Sequence, residues 1–433
     1  MNQPETHADA HVRARQLART GAIAEAEREY ARVLEAAPQD LESLNFLGLC
    51  ALRAGRPEQG VHLLQRALAA APDDLETLKN LGAAHQLLGQ IEVGQELLRR
   101  ALAREPDHYV ARLHFAYGQE QLANPRRALV EYFRAVTTAQ RRGLWLSPET
   151  TPEGLRELVV RAMSWIRQGR PELFNGVLEP LRQRFGAAAL QRVSRALDLY
   201  LGALPASYAD PRQRPLFFYV PDLPARPYWP RAEFPWIEQY ESTCHSILEE
   251  LHEVLRAATG FEAVHAGLDQ QHQARLLESS AGQPAWDGYY FYRHGRPYED
   301  NAGRCPRTIA ALDALPLMRV RDHGPESMYS ALTPGTRILP HRGVTNARLV
   351  VHLGLVVPEG CALSVCGEER GWRPGECFVF DDTYEHEAWN RGTETRYVLI
   401  CDVWNPRLDE PERLALAELT GVIGDFNREA AFE

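Results

Sequence analysis

The chain has 433 residues, 45% of them hydrophobic and 24% charged, which is enough for two or three domains with proper cores. Its 58 acidic and 48 basic residues give a formal net charge of −10, which argues against a nucleic-acid partner because phosphate binding needs a basic face. No apolar run approaches the roughly 20 residues of a membrane-spanning helix, so no membrane span is expected.

The N-terminal stretch MNQPETHADAHVRARQLART lacks the apolar core of a secretory signal. Seven cysteines without a C-x-x-C pair read as reduced thiols, and a cytoplasmic setting is expected. Three segments then repeat: LEAAPQDLESLNFLGLCALRAGRPEQG, LAAAPDDLETLKNLGAAHQLLGQIEVG and LAREPDHYVARLHFAYGQEQLANPRRA. Pro38, Pro72 and Pro106 recur every 34 residues, and Gly21, Gly55 and Gly89 keep the same period. That is the spacing of helix–turn–helix repeats, and the stretch resembles a tetratricopeptide array. Each proline is expected near the first turn of a helix, with Gly48, Gly82 and Ala116 letting helix pairs approach closely. Residues 1–142 are assigned to this superhelix. Its concave surface is expected to meet a peptide or protein substrate, the alternative being that it only packs on its neighbour.

Residues 143–205 keep a helical pattern but lose the period, and are assigned as a helical connector that caps the array. The stretch from Tyr208 to Trp236 is rich in proline and aromatic residues and marks entry into a new domain, 206–433. One helix follows at about 237–257. Short strands with turn signals then succeed one another: YYFYRHG, SMYSALTPG, ARLVVHLGLVVP, ALSVCG, ECFVFDD and RYVLICDVW. Many short strands at close spacing predict a sandwich or a double-stranded β-helix of jelly-roll, cupin-like type, making the chain α+β and multidomain.

His341 and His386 stand at turns beside apolar strands, where a two-layer barrel brings strand ends together. A neutral imidazole pair suits Fe(II), Zn(II) or Cu(II), so ligand type alone leaves the metal open. Arg396 lies on an apolar strand and needs an anionic partner, either a structural acid or a ligand carboxylate gripped in two hydrogen bonds. Arg348, Val350 and His352 alternate along one strand and so share a face. Two arginines projecting into one barrel suggest a dianionic small ligand. Gly343, two residues after His341, stands where many iron sites carry a carboxylate.

The motifs YSALTPGT, PHRGVTNARL, HLGL, FDDTYEHEAWN and DVWNP, in this order, resemble the aspartyl/asparaginyl β-hydroxylase family of Fe(II)- and 2-oxoglutarate-dependent oxygenases. Weaker similarity reaches back to about residue 210, and animal members of that family also place tetratricopeptide helices before the oxygenase domain. The resemblance implies iron held by His341 and His386 without a carboxylate, with 2-oxoglutarate as cosubstrate and O2 as oxidant. By the same resemblance Arg396 and Ser330 meet the far carboxylate of 2-oxoglutarate, and His352 meets its iron-chelating end. Arg348 shares that face, Tyr292 stands near the cosubstrate, and Asp382 orients a ligand or a metal-bound water. One departure stands out: some members carry a further arginine where this chain has Val350. The implied reaction is hydroxylation of the β-carbon of an Asp- or Asn-type residue in a peptide or protein. Alternatives are a free or carrier-bound amino acid or an acyl chain as substrate, halogenation at the space left by Gly343, and a non-catalytic repeat adaptor with a degenerate barrel.

Overall fold

The computed structural model describes residues 7–264, 276–280 and 285–430. Its contacts divide the chain into two units, Met1–Glu172 with Phe426–Glu433, and Leu173–Asp425.

The first unit is built from consecutive antiparallel helix pairs: His7–Arg19 with Ile23–Ala36, Leu41–Arg53 with Pro57–Ala70, Leu75–Leu87 with Ile91–Arg104, and Tyr109–Gln121 with Pro125–Arg141. Side-chain caps start the leading helices. Asp40 accepts from the Ser43 amide and Asp74 from the Thr77 amide, each at 2.8 Å. The periodic prolines sit in the turns before these caps, so Pro38 and Pro72 lie just outside the first helical turn. The prolines that occupy a first turn are Pro57 and Pro125, where the missing N–H costs nothing. A Cβ on Gly48 would stand 2.9 Å from Leu64, and one on Gly82 would stand 2.7 Å from Leu98, so the helix pairs close only over glycine. A 30-residue helix, Arg156–Phe185, and a shorter one, Gln191–Leu201, follow without the period.

The second unit holds two antiparallel sheets. The strands in chain order are β1 Tyr228–Trp229, β2 Glu262–Ala263, β3 Leu277–Ser279, β4 Trp286–Arg293, β5 Arg296–Pro297, β6 Ser327–Leu332 and β7 Thr336–His341. They continue as β8 Arg348–Val356, β9 Cys361–Val365, β10 Glu368–Gly371, β11 Cys377–Phe380, β12 His386–Asn390 and β13 Arg396–Trp404. The larger sheet runs β1-β11-β8-β13-β6-β4-β2, with β5 beside β4, and the smaller runs β10-β9-β12-β7-β3. Strand alternation sorts the larger sheet's side chains. Leu349, Val351, Leu353, Leu399, Cys401 and Val403 pack outward under the helices Ile237–Ser242, Cys244–Ala257 and Pro306–Asp313. Val350, Val398 and Phe380 point the other way, into a core shared with Ile338, Leu363 and Ala388 of the smaller sheet. The chain also carries a 21-residue helix, Glu410–Ala430, beyond the elements expected from sequence. Among the described residues no helix is long and apolar enough to cross a membrane.

Candidate active site

Strand β7 ends on His341 and β12 begins on His386. The two residues are direct partners across the smaller sheet, with ring centroids 4.1 Å apart. Each ring is tied back at Nδ1 to a backbone carbonyl two residues earlier, His341 to Leu339 at 2.9 Å and His386 to Tyr384 at 3.0 Å. That bond fixes the Nδ1–H tautomer and leaves Nε2 of each ring with its lone pair. Burial, with His341 alongside, pushes His386 down to about 4, so its imidazole is neutral at physiological pH.

Gly343 is filled from outside its own residue. A Cβ there would lie 2.0 Å from Asp382 Cγ and 2.1–2.2 Å from both carboxylate oxygens. The Gly343 amide donates to the Asp382 carbonyl at 2.6 Å, locking the two backbones together. Asp382 Oδ2 accepts from Arg348, while Asp382 Oδ1 is buried without a hydrogen-bond partner. Among the described residues no three His, Cys, Asp or Glu groups gather as a metal cluster. His341 and His386 could hold a metal ion through Nε2, with Asp382 nearby.

The two histidines and Asp382 line one cavity of about 160 Å³ with Ser330, His352 and Arg396. Arg396 is 1% exposed and its Nη2 stands 3.5 Å from Ser330 Oγ. Its guanidinium lies over the Trp372 ring at 4.9 Å, and its Nε has no partner. Among the described residues no carboxylate hydrogen-bonds it, and burial pushes it down to about 10. A buried, uncompensated arginine is suited to an anion. Trp286 Nε1 donates to Ser330 Oγ at 3.0 Å, and Trp372 Nε1 donates to His352 Nδ1 at 3.2 Å. His352 is thereby the Nε2–H tautomer, and burial beside Arg396 holds it well below the ordinary histidine range.

Two of the expected residues stand in surroundings that the sequence did not reveal. Arg348 shares the face of His352, but its charge is already answered. One Nη donates to Asp402 and the other to Asp382, the latter at 2.9 Å. Burial alone would lower Arg348; Asp402 and Asp382 outweigh that and raise it. Tyr292 lies outside the cavity. A register shift between Tyr290 and Tyr292 breaks the alternation of β4, and Tyr292 packs on the helix-covered side with its hydroxyl 3.4 Å from Asp313. Trp286 lines the cavity instead, 6.5 Å from the His341 ring. Sequence reasoning also passed over Glu326, Met328, Ile400 and Asp402, all of which line the cavity. Counting in twos from Ser330 and Arg396 along β6 and β13 reaches Met328, Ile400 and Asp402. Trp372 follows β10 and carried no sequence signal.

The model of the family described as aspartyl/asparaginyl beta-hydroxylase matches residues 241–406, and that of the tetratricopeptide repeat matches residues 51–114. The chain is 31% identical over 246 residues to aspartate beta-hydroxylase domain-containing protein 2 of Rattus norvegicus, covering 55% of this chain and 68% of that protein. The Xenopus tropicalis counterpart gives the same identity with 63% of its length covered, so the chain spans less than two thirds of that relative. Aspartyl/asparaginyl beta-hydroxylase of Homo sapiens is 32% identical over 237 residues, 53% of this chain and 29% of that protein. Among solved structures, that of MamA protein aligns over 48% of this chain and all of its own, at 17% identity and a TM-score of 0.32.

Proposed function

The chain belongs to the aspartyl/asparaginyl β-hydroxylase family, and from that premise we propose that it is an Fe(II)- and 2-oxoglutarate-dependent dioxygenase hydroxylating the β-carbon of an Asp- or Asn-type residue in a peptide or protein. One observation carries the reading. Two imidazoles, that of His386 buried and that of His341 part-buried, have Nδ1 tied back and Nε2 open, and they stand in the same small cavity as an arginine that no carboxylate hydrogen-bonds among the described residues. Iron with 2-oxoglutarate supplies the activation of dioxygen that breaks an unreactive C–H bond.

The chain's own residues then have separate tasks. His341 and His386 would hold the metal through Nε2. Asp382 Oδ1, buried and without a partner among the described residues, would orient a group held beside the histidines. Arg396 takes the far carboxylate of the cosubstrate with Ser330, whose hydroxyl is oriented by Trp286. His352 would offer Nε2–H to the cosubstrate. Ile338, Leu363 and Phe380 exclude water from the cavity. The two facing antiparallel sheets support a double-stranded β-helix of the jelly-roll, cupin-like kind. The repeat array supports a peptide or protein substrate, and seven free cysteines support a cytoplasmic setting.

The test is anaerobic titration with Fe(II) and 2-oxoglutarate, read by the metal-to-ligand charge-transfer band. No band at saturating ligand would sink the reading. His341→Ala and His386→Ala are each expected to lose the band and substrate-dependent succinate. Full turnover in both variants refutes the ligand assignment.

A further inference from the structure

Two of the groups that line the cavity, His352 and Arg396, stand on different strands, and one side chain touches both. His352 lies on β8 opposite Ile400, and Arg396 lies four residues before Ile400 on β13. At about 3.4 Å per residue that is roughly 14 Å of strand, so the sheet alone does not bring the two side chains together. Arg396 is also long, and a side chain with that many rotamers costs entropy to hold in one place. Trp372 supplies the fixed point. Its indole Nε1–H donates to His352 Nδ1 at 3.2 Å, with the two ring planes 12° apart. Its face carries the Arg396 guanidinium, 4.9 Å from the ring centroid. Trp372 is buried and is not among the described residues that line the cavity, so it stands behind the two groups.

The backbone on either side of Trp372 is anchored. Gly371 closes β10 opposite Ala362 in the smaller sheet. Beyond Trp372, the Gly354 amide donates to the Glu376 carbonyl at 3.1 Å and the Gly375 amide donates to the Gly354 carbonyl at 2.9 Å. A Cβ on Gly354 would lie 2.4 Å from the Arg373 carbonyl oxygen, so this segment presses on β8 two residues from His352. Phe378 packs on both rings, its centroid 5.8 Å from that of Trp372 and 5.6 Å from that of His352. Among aromatic side chains, indole alone joins a broad face that attracts a cation to a nitrogen that can only donate. Because Nε1–H only donates, His352 Nδ1 must accept, and the proton of the neutral imidazole stays on Nε2. Phenylalanine at position 372 would keep the face and lose the donor, and leucine would lose both.

We propose that Trp372 is a positioning residue for the cosubstrate, holding the Arg396 guanidinium in place before an anion arrives and fixing His352 as an Nε2–H donor. This rests on the hydroxylase reading above and deepens it. The gain is preorganisation, since groups that are already set need not be ordered on binding.

The experiment titrates the full chain with 2-oxoglutarate, anaerobic and with Fe(II), and reads the dissociation constant from the charge-transfer band. Trp372→Phe is expected to weaken binding roughly 2- to 12-fold, the net value of one hydrogen bond. Trp372→Leu is expected to weaken it at least about twofold more, because the cation also loses its ring. His352→Leu removes the oriented donor itself, so adding Trp372→Phe to it is expected to cost nothing further. A tryptophan that only filled space would give losses that multiply in the double variant. Wild-type affinity in Trp372→Phe, or multiplied losses in the double variant, overturns this inference while leaving the hydroxylase reading standing. So does a folded Trp372→Leu that binds as tightly as Trp372→Phe. Where Trp372→Leu does not fold, Trp372→Phe and the double variant decide. Absence of the band in the wild-type chain brings down the hydroxylase reading itself, and this inference with it.

Discussion

Replacing Gly343 by alanine adds one methyl group, and the structure says where it goes. The new Cβ would sit 2.0 Å from Asp382 Cγ, far inside ordinary contact. Asp382 cannot step aside freely, because Arg348 holds its Oδ2 and the Gly343 amide holds its carbonyl. The carboxylate must therefore leave Arg348. Breaking a buried ion pair by removing one partner costs about 3–5 kcal/mol, and the lower end applies because Asp402 still holds Arg348. For a unit of about 250 residues, about 3 kcal/mol corresponds to a Tm fall of roughly 6–12 °C. Scanning calorimetry of wild type, Gly343→Ala, Asp382→Ala and the double variant forms a cycle. The two changes are expected to be coupled by about 1–3 kcal/mol, since the methyl group no longer collides once the carboxylate is gone. A Gly343→Ala protein with an unchanged Tm, or strictly additive variants, would refute the claim that Asp382 occupies the space a third ligand would need.

Arg396→Met removes a guanidinium that no described side chain neutralises. Thermal stability is expected to hold or rise, while 2-oxoglutarate affinity drops by about 2–3 kcal/mol, or roughly 30- to 150-fold. A large Tm loss with unchanged affinity would make Arg396 structural. Asp381 accepts from Gln213 and Thr383 but has no cation, and burial pushes its carboxyl up to about 7. A folded-state value above the ordinary 3.8 means the native state binds more protons between those limits, so stability falls as pH rises from about 4 to about 7. Asp381→Asn is expected to remove up to about 1.4 kcal/mol per pH unit of that slope in denaturant unfolding at pH 5, 6 and 7, and parallel slopes refute it.

The repeat array was legible because its signal is local and periodic. Turn glycines at Gly21, Gly55 and Gly89 take φ of +81°, +71° and +73°, which only glycine adopts easily, so the period survives in the sequence. The strand face carrying Arg348, Val350 and His352 was legible by alternation alone. Tyr292 was not, because a single register shift within β4 reverses every later inference from counting in twos. The partners of Arg348 were also hidden. Asp402 is 54 residues away and Asp382 is 34 away, joined to it only by how the strands fold together. The cavity-facing position of Arg348 was legible and its two carboxylate partners were not, since charge in a buried site belongs to the cluster.

Gly343 and Asp382 show how two weak sequence signals become one structural feature. Taken separately, Gly343 is an absent ligand and Asp382 an acid four residues before a histidine. In the fold the missing Cβ and the carboxylate compete for the same volume. A carboxylate ligand at position 343 is therefore incompatible with Asp382 where it stands, and Asp382 in turn is what holds Arg348 from one side. The same acid thus fills the space of a side chain at position 343 and engages one Nη of Arg348.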